Sequence, residues 1–260
     1  MRTEGVIGVH LHPDLPPAAA HNIMAAADAG VHLVSARHGM DARFLEYWQL
    51  LAEMGKARYV AVVDLGPVSL DVTEAAAIAS RVLEEDVHPI TLPLLDDDEA
   101  VIGVLDVVDG WQWFPDGREE APRADFVEAV EAETDVLLDE SGGDVFPAVF
   151  DGVLAVAATV DVPSGAGVRW LARHVPPRSV PVSTVVVPGD DPALPFVCAG
   201  SDGLQVGPAL AVHALQTQEI AVVSLVDVLD PGLNDELLPG EVAAVRMEPV
   251  AAVGSLLVSR

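Results

Sequence analysis

Between residues 1 and 86, short β-type apolar runs alternate with helical stretches, and this alternation constrains the fold more than any other feature. Residues 6–11, 31–35 and 58–64 read as strands, and residues 18–29, 41–54 and 73–85 as helices. Gly30 and Gly55 sit where helices stop, and Asp41 is placed to cap the start of one. The strand at 58–64 holds a continuous apolar run over 59–63, as in a strand buried on both faces of a parallel sheet. The order β-α-β-α-β-α predicts an α/β fold around such a sheet.

The period then changes twice. Residues 90–95 and 101–108 read as two strands joined by the acidic turn Asp96-Asp97-Asp98-Glu99, an antiparallel hairpin signal. A helix over 125–140 follows and ends at Gly142-Gly143. The buried-strand pattern resumes at 153–159, with a further helix at 165–174. Residues of about 88–145 therefore read as an insertion within an α/β domain spanning 1–180. From residue 181 to 260 only short apolar runs remain, separated by Gly, Pro, Asp and Asn, which predicts a small all-β barrel or sandwich.

Charge narrows the function classes. The net charge is -28, and residues 61–150 hold 23 acids against 3 bases. Direct nucleic-acid binding is not expected, because no Lys/Arg surplus exists to displace counterions. The same deficit argues against a basic membrane-binding face. The one cysteine, Cys198, precludes an intrachain disulfide. No basic n-region or long apolar run marks a signal or membrane segment, so the expected setting is cytoplasmic.

Several stretches, taken in order, resemble the translational GTPases, specifically elongation factor G and its actinobacterial paralogues. Ala26-Ala27-Asp28-Ala29-Gly30-Val31-His32-Leu33-Val34-Ser35-Ala36 looks like the helix and strand that follow switch II in that family. Ile102-Gly103-Val104-Leu105-Asp106-Val107-Val108 is similar to part of the inserted G′ subdomain. Trp170-Leu171-Ala172-Arg173-His174-Val175-Pro176-Pro177 resembles the last helix and the linker to the second domain. Leu238-Pro239-Gly240-Glu241-Val242 and Val253-Gly254-Ser255-Leu256-Leu257 look like the end of the second-domain barrel. The resemblance implies a degenerate, incomplete P-loop GTPase-like sheet with a G′-like α+β insertion, followed by a β-barrel of the translation-factor second-domain type.

The departures bear on activity. A phosphate loop needs Gly-x-x-x-x-Gly-Lys-Ser/Thr. No such pattern is present, and the only lysine, Lys56, lies between Gly55 and Ala57 at a helix end. The guanine-reading Asn-Lys-x-Asp should fall near Val63-Asp64-Leu65-Gly66, where it is missing. The expectation is a pseudo-GTPase without GTP hydrolysis or a cofactor, acting through protein–protein contacts, with an open sheet edge suited to self-association.

Two constellations compete for a functional role. On the predicted helix 125–140, Asp125, Glu128, Glu131, Asp135 and Asp139 recur every three or four residues and share one face. Unpaired acids at this spacing repel, so the face is either a solubilising surface or a docking surface for a basic partner. The resemblance makes that partner the ribosomal stalk protein. The alternative is a metal-dependent hydrolase, in which His10 and His12, two apart in a strand, share a divalent metal with Asp14. Ser164, Ser183, Ser201 and Cys198 lie in no nucleophile motif, and the acidic runs 84–86 and 96–99 lack calcium-loop spacing.

Overall fold

The computed structural model describes residues 2–3, 6–7, 15–66, 71–121, 123–124, 126–175, 184–187, 196–199, 201, 204–205, 209–213, 220–228, 236–237, 242–248, 253 and 256–259. It divides into two compact units: one comprises Met1–Asp28 and Pro177–Arg260, the other Ala29–Pro176. Near the N-terminus, β1 (Arg2–Thr3) pairs antiparallel with β2 (Val6–Ile7), and helix α1 (Pro17–Ala26) follows. The sequence pattern predicts 6–11 as a strand of the parallel sheet; its described residues pair instead within this local hairpin. Pro17 opens α1, where a missing N–H costs nothing.

The second unit begins with β3 (Ala29–Ser35), a 3-10 turn (Ala42–Phe44), α2 (Leu45–Glu53), β4 (Ala57–Val63), α3 (Val72–Leu83) and β5 (Val87–Pro89). Asp41 does cap, accepting from Arg43 N–H at 3.0 Å, but the turn it starts is 3-10 before it becomes α. Helix α3 starts with a reciprocal cap: Glu74 N–H donates to Asp71 at 2.7 Å and Asp71 N–H to Glu74 at 3.3 Å. Such a cap contributes about 1 kcal/mol. Val72, Ala75, Ala76, Ala79 and Leu83 form its buried stripe. The small alanines let the helix lie close to the sheet.

The insertion supplies β6 (Thr91–Leu95), β7 (Val101–Asp106), β8 (Gln112–Trp113), β9 (Glu119–Glu120), α4 (Val127–Ser141) and α5 (Val145–Phe150). The first four form an antiparallel sheet in that order. The chain then returns through β10 (Ala155–Thr159) and α6 (Val168–Arg173). β3, β4, β10 and β5 make a wholly parallel sheet in that order. One face packs on α2 and α3 through Val34, Trp48, Val60 and Val62. The other packs on the insertion and α6 through Tyr59, Val156, Leu137, Val149 and Trp170. The hairpin expected at 90–108 is present, whereas β5, β8, β9 and α5 have no counterpart in the sequence reading.

In the other unit, β11 (Thr184–Val187), β12 (Phe196–Cys198), β13 (Leu204–Gln205), β14 (Ala209–His213), β15 (Ile220–Val228), β16 (Glu236–Leu237), β17 (Val242–Glu248) and β18 (Leu256–Ser259) are all antiparallel in their pairings. β11, β12, β17, β15, β14 and β18 pair successively, and β18 pairs again with β11. Ile23 of α1 packs against Val185 and Val187 of β11. The sequence pattern assigns residues 18–29 to the α/β half; the contacts of Ile23 assign the helix to the all-β unit instead. Among the described residues, no helix is long and apolar enough to cross a membrane.

Candidate functional site

The acidic face predicted from the sequence lies on α4. Glu131, Asp135 and Asp139 are exposed and one helical turn apart, while Leu137 on the opposite side is fully buried. Glu128 falls in α4 with its side chain outside the described set, and Asp125 lies outside the described residues. Thr134 holds the helix to the insertion by donating its hydroxyl to the Val107 carbonyl.

Beside this face lies an open cleft of about 290 Å³. Val108, Phe126 and Val130 supply its apolar lining, and Asp109, Glu131 and Asp135 its carboxylates. The Arg123 guanidinium lies 5.0 Å from the centre of the Phe126 ring. The volume is near the lower end of small-molecule sites, roughly 300–1,000 Å³, and suits one or two side chains of a partner. An apolar lining with carboxylates around it fits a lysine or arginine, whose stem is apolar and whose head is charged. The sequence pattern found the acids. It could not find the cleft, because Val108 and Asp109 come from the turn after β7.

A second polar cluster is sealed. Asp106 ends β7 with no exposed surface. It accepts from Trp170 Nε1 at 2.6 Å and from Val108 N–H at 2.8 Å. Burial nevertheless pushes its carboxyl up to about 6, opposed by the Trp170 hydrogen bond and helped by the nearby Asp109 charge. His174 stacks between Trp170 and Phe146, with ring centres 4.3 and 4.8 Å away. Its Nε2 lies 3.9 Å from Asp106, and burial lowers its pKa. The Tyr59 hydroxyl donates to the His174 carbonyl. This arrangement ties β4, β7 and α6 together without an opening for substrate at Asp106. The legible signal was one acid in the apolar run 101–108.

The carboxyl ends of parallel strands are the usual ligand side of an α/β sheet. Here Ser35 Oγ donates to Asp64 at 2.6 Å and accepts from His38 N–H at 3.1 Å. Asp64 takes a left-handed conformation at φ 61°. Lys56 lies at the other end of the sheet, immediately before β4. Ser164 Oγ accepts from Ala166 N–H at 3.2 Å, and Cys198 is buried in β12. Asp96 caps its own acidic turn, accepting from Asp98 and Ala100 N–H at 2.9 Å. Glu85 accepts from Trp48 and from the buried Arg58. His10, His12, Asp14 and Ser183 lie outside the described residues. Among the described residues, no group of three or more His, Cys, Asp or Glu gathers to hold a metal.

No protein-family model matches the chain, and no curated protein does. A crystal structure of a protein from Thermus thermophilus is similar in fold, with a TM-score of 0.58 and 19% identity. The match covers 94% of this chain and 40% of that protein's length. At this identity, the likeness is one of fold alone.

Proposed function

We propose that the protein is a non-catalytic, elongation-factor-G-like interaction module that docks a basic protein partner and does not hydrolyse GTP. In this reading β3, β4, β10 and β5 are an incomplete GTPase-like sheet, and the antiparallel sheet with α4 and α5 is a G′-like insertion. The ring of antiparallel strands from β11 to β18 is a translation-factor-type barrel. The order of these elements supports the reading. The partner that the resemblance offers is the ribosomal stalk protein, in a cytoplasmic setting and without a bound metal or nucleotide.

The observation that carries docking is the apolar cleft bordered by Asp109, Glu131 and Asp135, three carboxylates against the single guanidinium of Arg123. Carboxylates around an apolar slot repel one another and attract a cation that brings its own alkyl stem. A pull-down of the stalk protein's C-terminal domain tests this at low and high salt. Binding is expected to weaken with salt and to fall at least about tenfold in the Glu131→Lys, Asp135→Lys double variant. Salt-insensitive binding, or none, overturns the docking reading.

A further inference from the structure

The His174 ring is held on several sides at once. It stacks between Trp170 and Phe146, and Trp113 meets it edge-on at 5.6 Å. Its Nδ1 lies 2.9 Å from the Trp170 carbonyl oxygen. A carbonyl only accepts, so Nδ1 carries the hydrogen, and Nε2 of the neutral ring is a bare acceptor. That Nε2 lies 3.9 Å from Asp106 Oδ2, close enough to couple their charges. Oδ2 accepts from Trp170 Nε1, and the other carboxyl oxygen from Val108 N–H. Two acceptors therefore face one another in a buried setting, where unmatched polar groups are costly. One proton matches them. As a carboxylic acid, Asp106 can turn a hydrogen toward Nε2, and neither group is then charged. Burial favours that placement, pushing the Asp106 carboxyl up to about 6 and holding the His174 imidazole below its ordinary range. Among the charged groups around them, Asp109 raises both, while Glu119 of β9 raises His174 and Arg173 of α6 lowers it. Tyr59 of β4 keeps its proton, since burial raises its pKa further.

We propose that Asp106 and His174 form a proton-operated latch at the end of α6: with one proton between them the ring stays stacked, and when that proton leaves the ring turns out to solvent. With no proton to share, neither neutral tautomer of His174 satisfies both contacts. A hydrogen on Nδ1 keeps the Trp170 carbonyl and turns a lone pair on the carboxylate. A hydrogen on Nε2 serves the carboxylate and turns a lone pair on the carbonyl. The ring is the part that yields. Asp106 has no exposed surface and is fixed in β7 by two N–H donors, whereas the His174 side chain is 16% exposed at a helix end. The backbone stays in place, because the Tyr59 hydroxyl donates to the His174 carbonyl and His174 N–H to that of Trp170. The motion is therefore one of the side chain alone. The latch is closed at acid pH and opens as pH rises through about 6, where the folded chain gives up the Asp106 proton. It lies two residues before the end of its compact unit at Pro176.

Carbon–proton NMR of the full chain, labelled at its histidine rings, tests the latch; the His174 signal is the one missing in His174→Gln. Ring currents from Trp170 and Phe146 shield the C–H protons of the stacked ring. These signals should stay shielded at about pH 5 and reach ordinary histidine positions by about pH 8, with a midpoint near that of Asp106. In Asp106→Asn the movement should vanish, with circular dichroism checking the fold. A ring that stays shielded across the whole range overturns the proposal. So does an unchanged transition in Asp106→Asn, which would tie the movement to the imidazole alone. The aspartate carboxyl carbons of the wild type give a second reading that does not depend on any variant folding. One of them should titrate with the midpoint of the ring, and a set that all titrate near about 4 overturns the latch.

Discussion

Trp170 Nε1 and Val108 N–H both stabilise the ionised form of Asp106, yet its pKa rises to about 6 because desolvation outweighs two hydrogen bonds. The sign of the stability effect follows. The folded chain keeps this proton in a pH window, from about 4 to about 6, where the unfolded chain has released it. The native state therefore binds more protons there, and the group's contribution to stability falls as pH rises through that window. Asp106→Asn keeps an oxygen for Trp170 and removes the ionisation. The variant should gain about 2–3 kcal/mol on the wild type between pH 4 and pH 7.5, as read by urea unfolding. A difference independent of pH would show that Asp106 does not titrate in this way. Gly167 makes a second case. It precedes α6 at φ 78°, and a Cβ there would lie 1.9 Å from the Thr159 carbonyl oxygen. The closest atoms belong to the Thr159 backbone, which cannot yield as a flexible side chain would. Gly167→Ala should cost about 3 kcal/mol or more in thermal or urea unfolding, and a neutral result would contradict the close approach of α6 to β10.

At the scale of elements, α4 separates a solubilising face from a docking face. Glu131, Asp135 and Asp139 repel at intervals of four. Asp135→Lys turns two repulsive pairs into attractive ones and should stabilise the protein by about 0.5–1 kcal/mol at low salt, less at high salt. If the face docks a basic partner, the same variant loses binding while it gains stability; if the face only solubilises, binding does not change. Circular dichroism melts and the stalk-protein pull-down read the two effects separately. The periodicity of α4 is legible in the sequence, because its buried and exposed residues recur at the helical interval. α5 is not: six residues hold too little periodicity, and Pro147 reads as a break although it lies in the helix's first turn, where no N–H is required. β5 escapes for a related reason. Val87–Pro89 is too short to alternate, and only its pairing with β10 makes it a strand. Asp71-x-x-Glu74 is a legible capping signal that starts α3 one residue ahead of the helix expected at 73–85.

At the scale of the whole molecule, the prediction concerns nucleotide. Lys56 lies at the amino end of the sheet, and Ser35 and Asp64 satisfy one another at the carboxyl end. Isothermal calorimetry with GTP and with GDP should show no binding heat for either; micromolar affinity would sink the non-catalytic reading.

The sequence by itself determined the α/β alternation, the antiparallel hairpin in the insertion, the all-β segment after residue 181 and the acidic face of α4. Each is a local pattern, set by the period of burial along a single element. Tertiary structure alone decided which face of α4 borders a cleft, that Asp106 is sealed beneath Trp170, that α1 packs on β11, and that β3 pairs with β4. Those depend on which distant segments meet. Val108 and Phe126, or β3 and β4, lie far enough apart in the chain that periodicity within either says nothing about their contact.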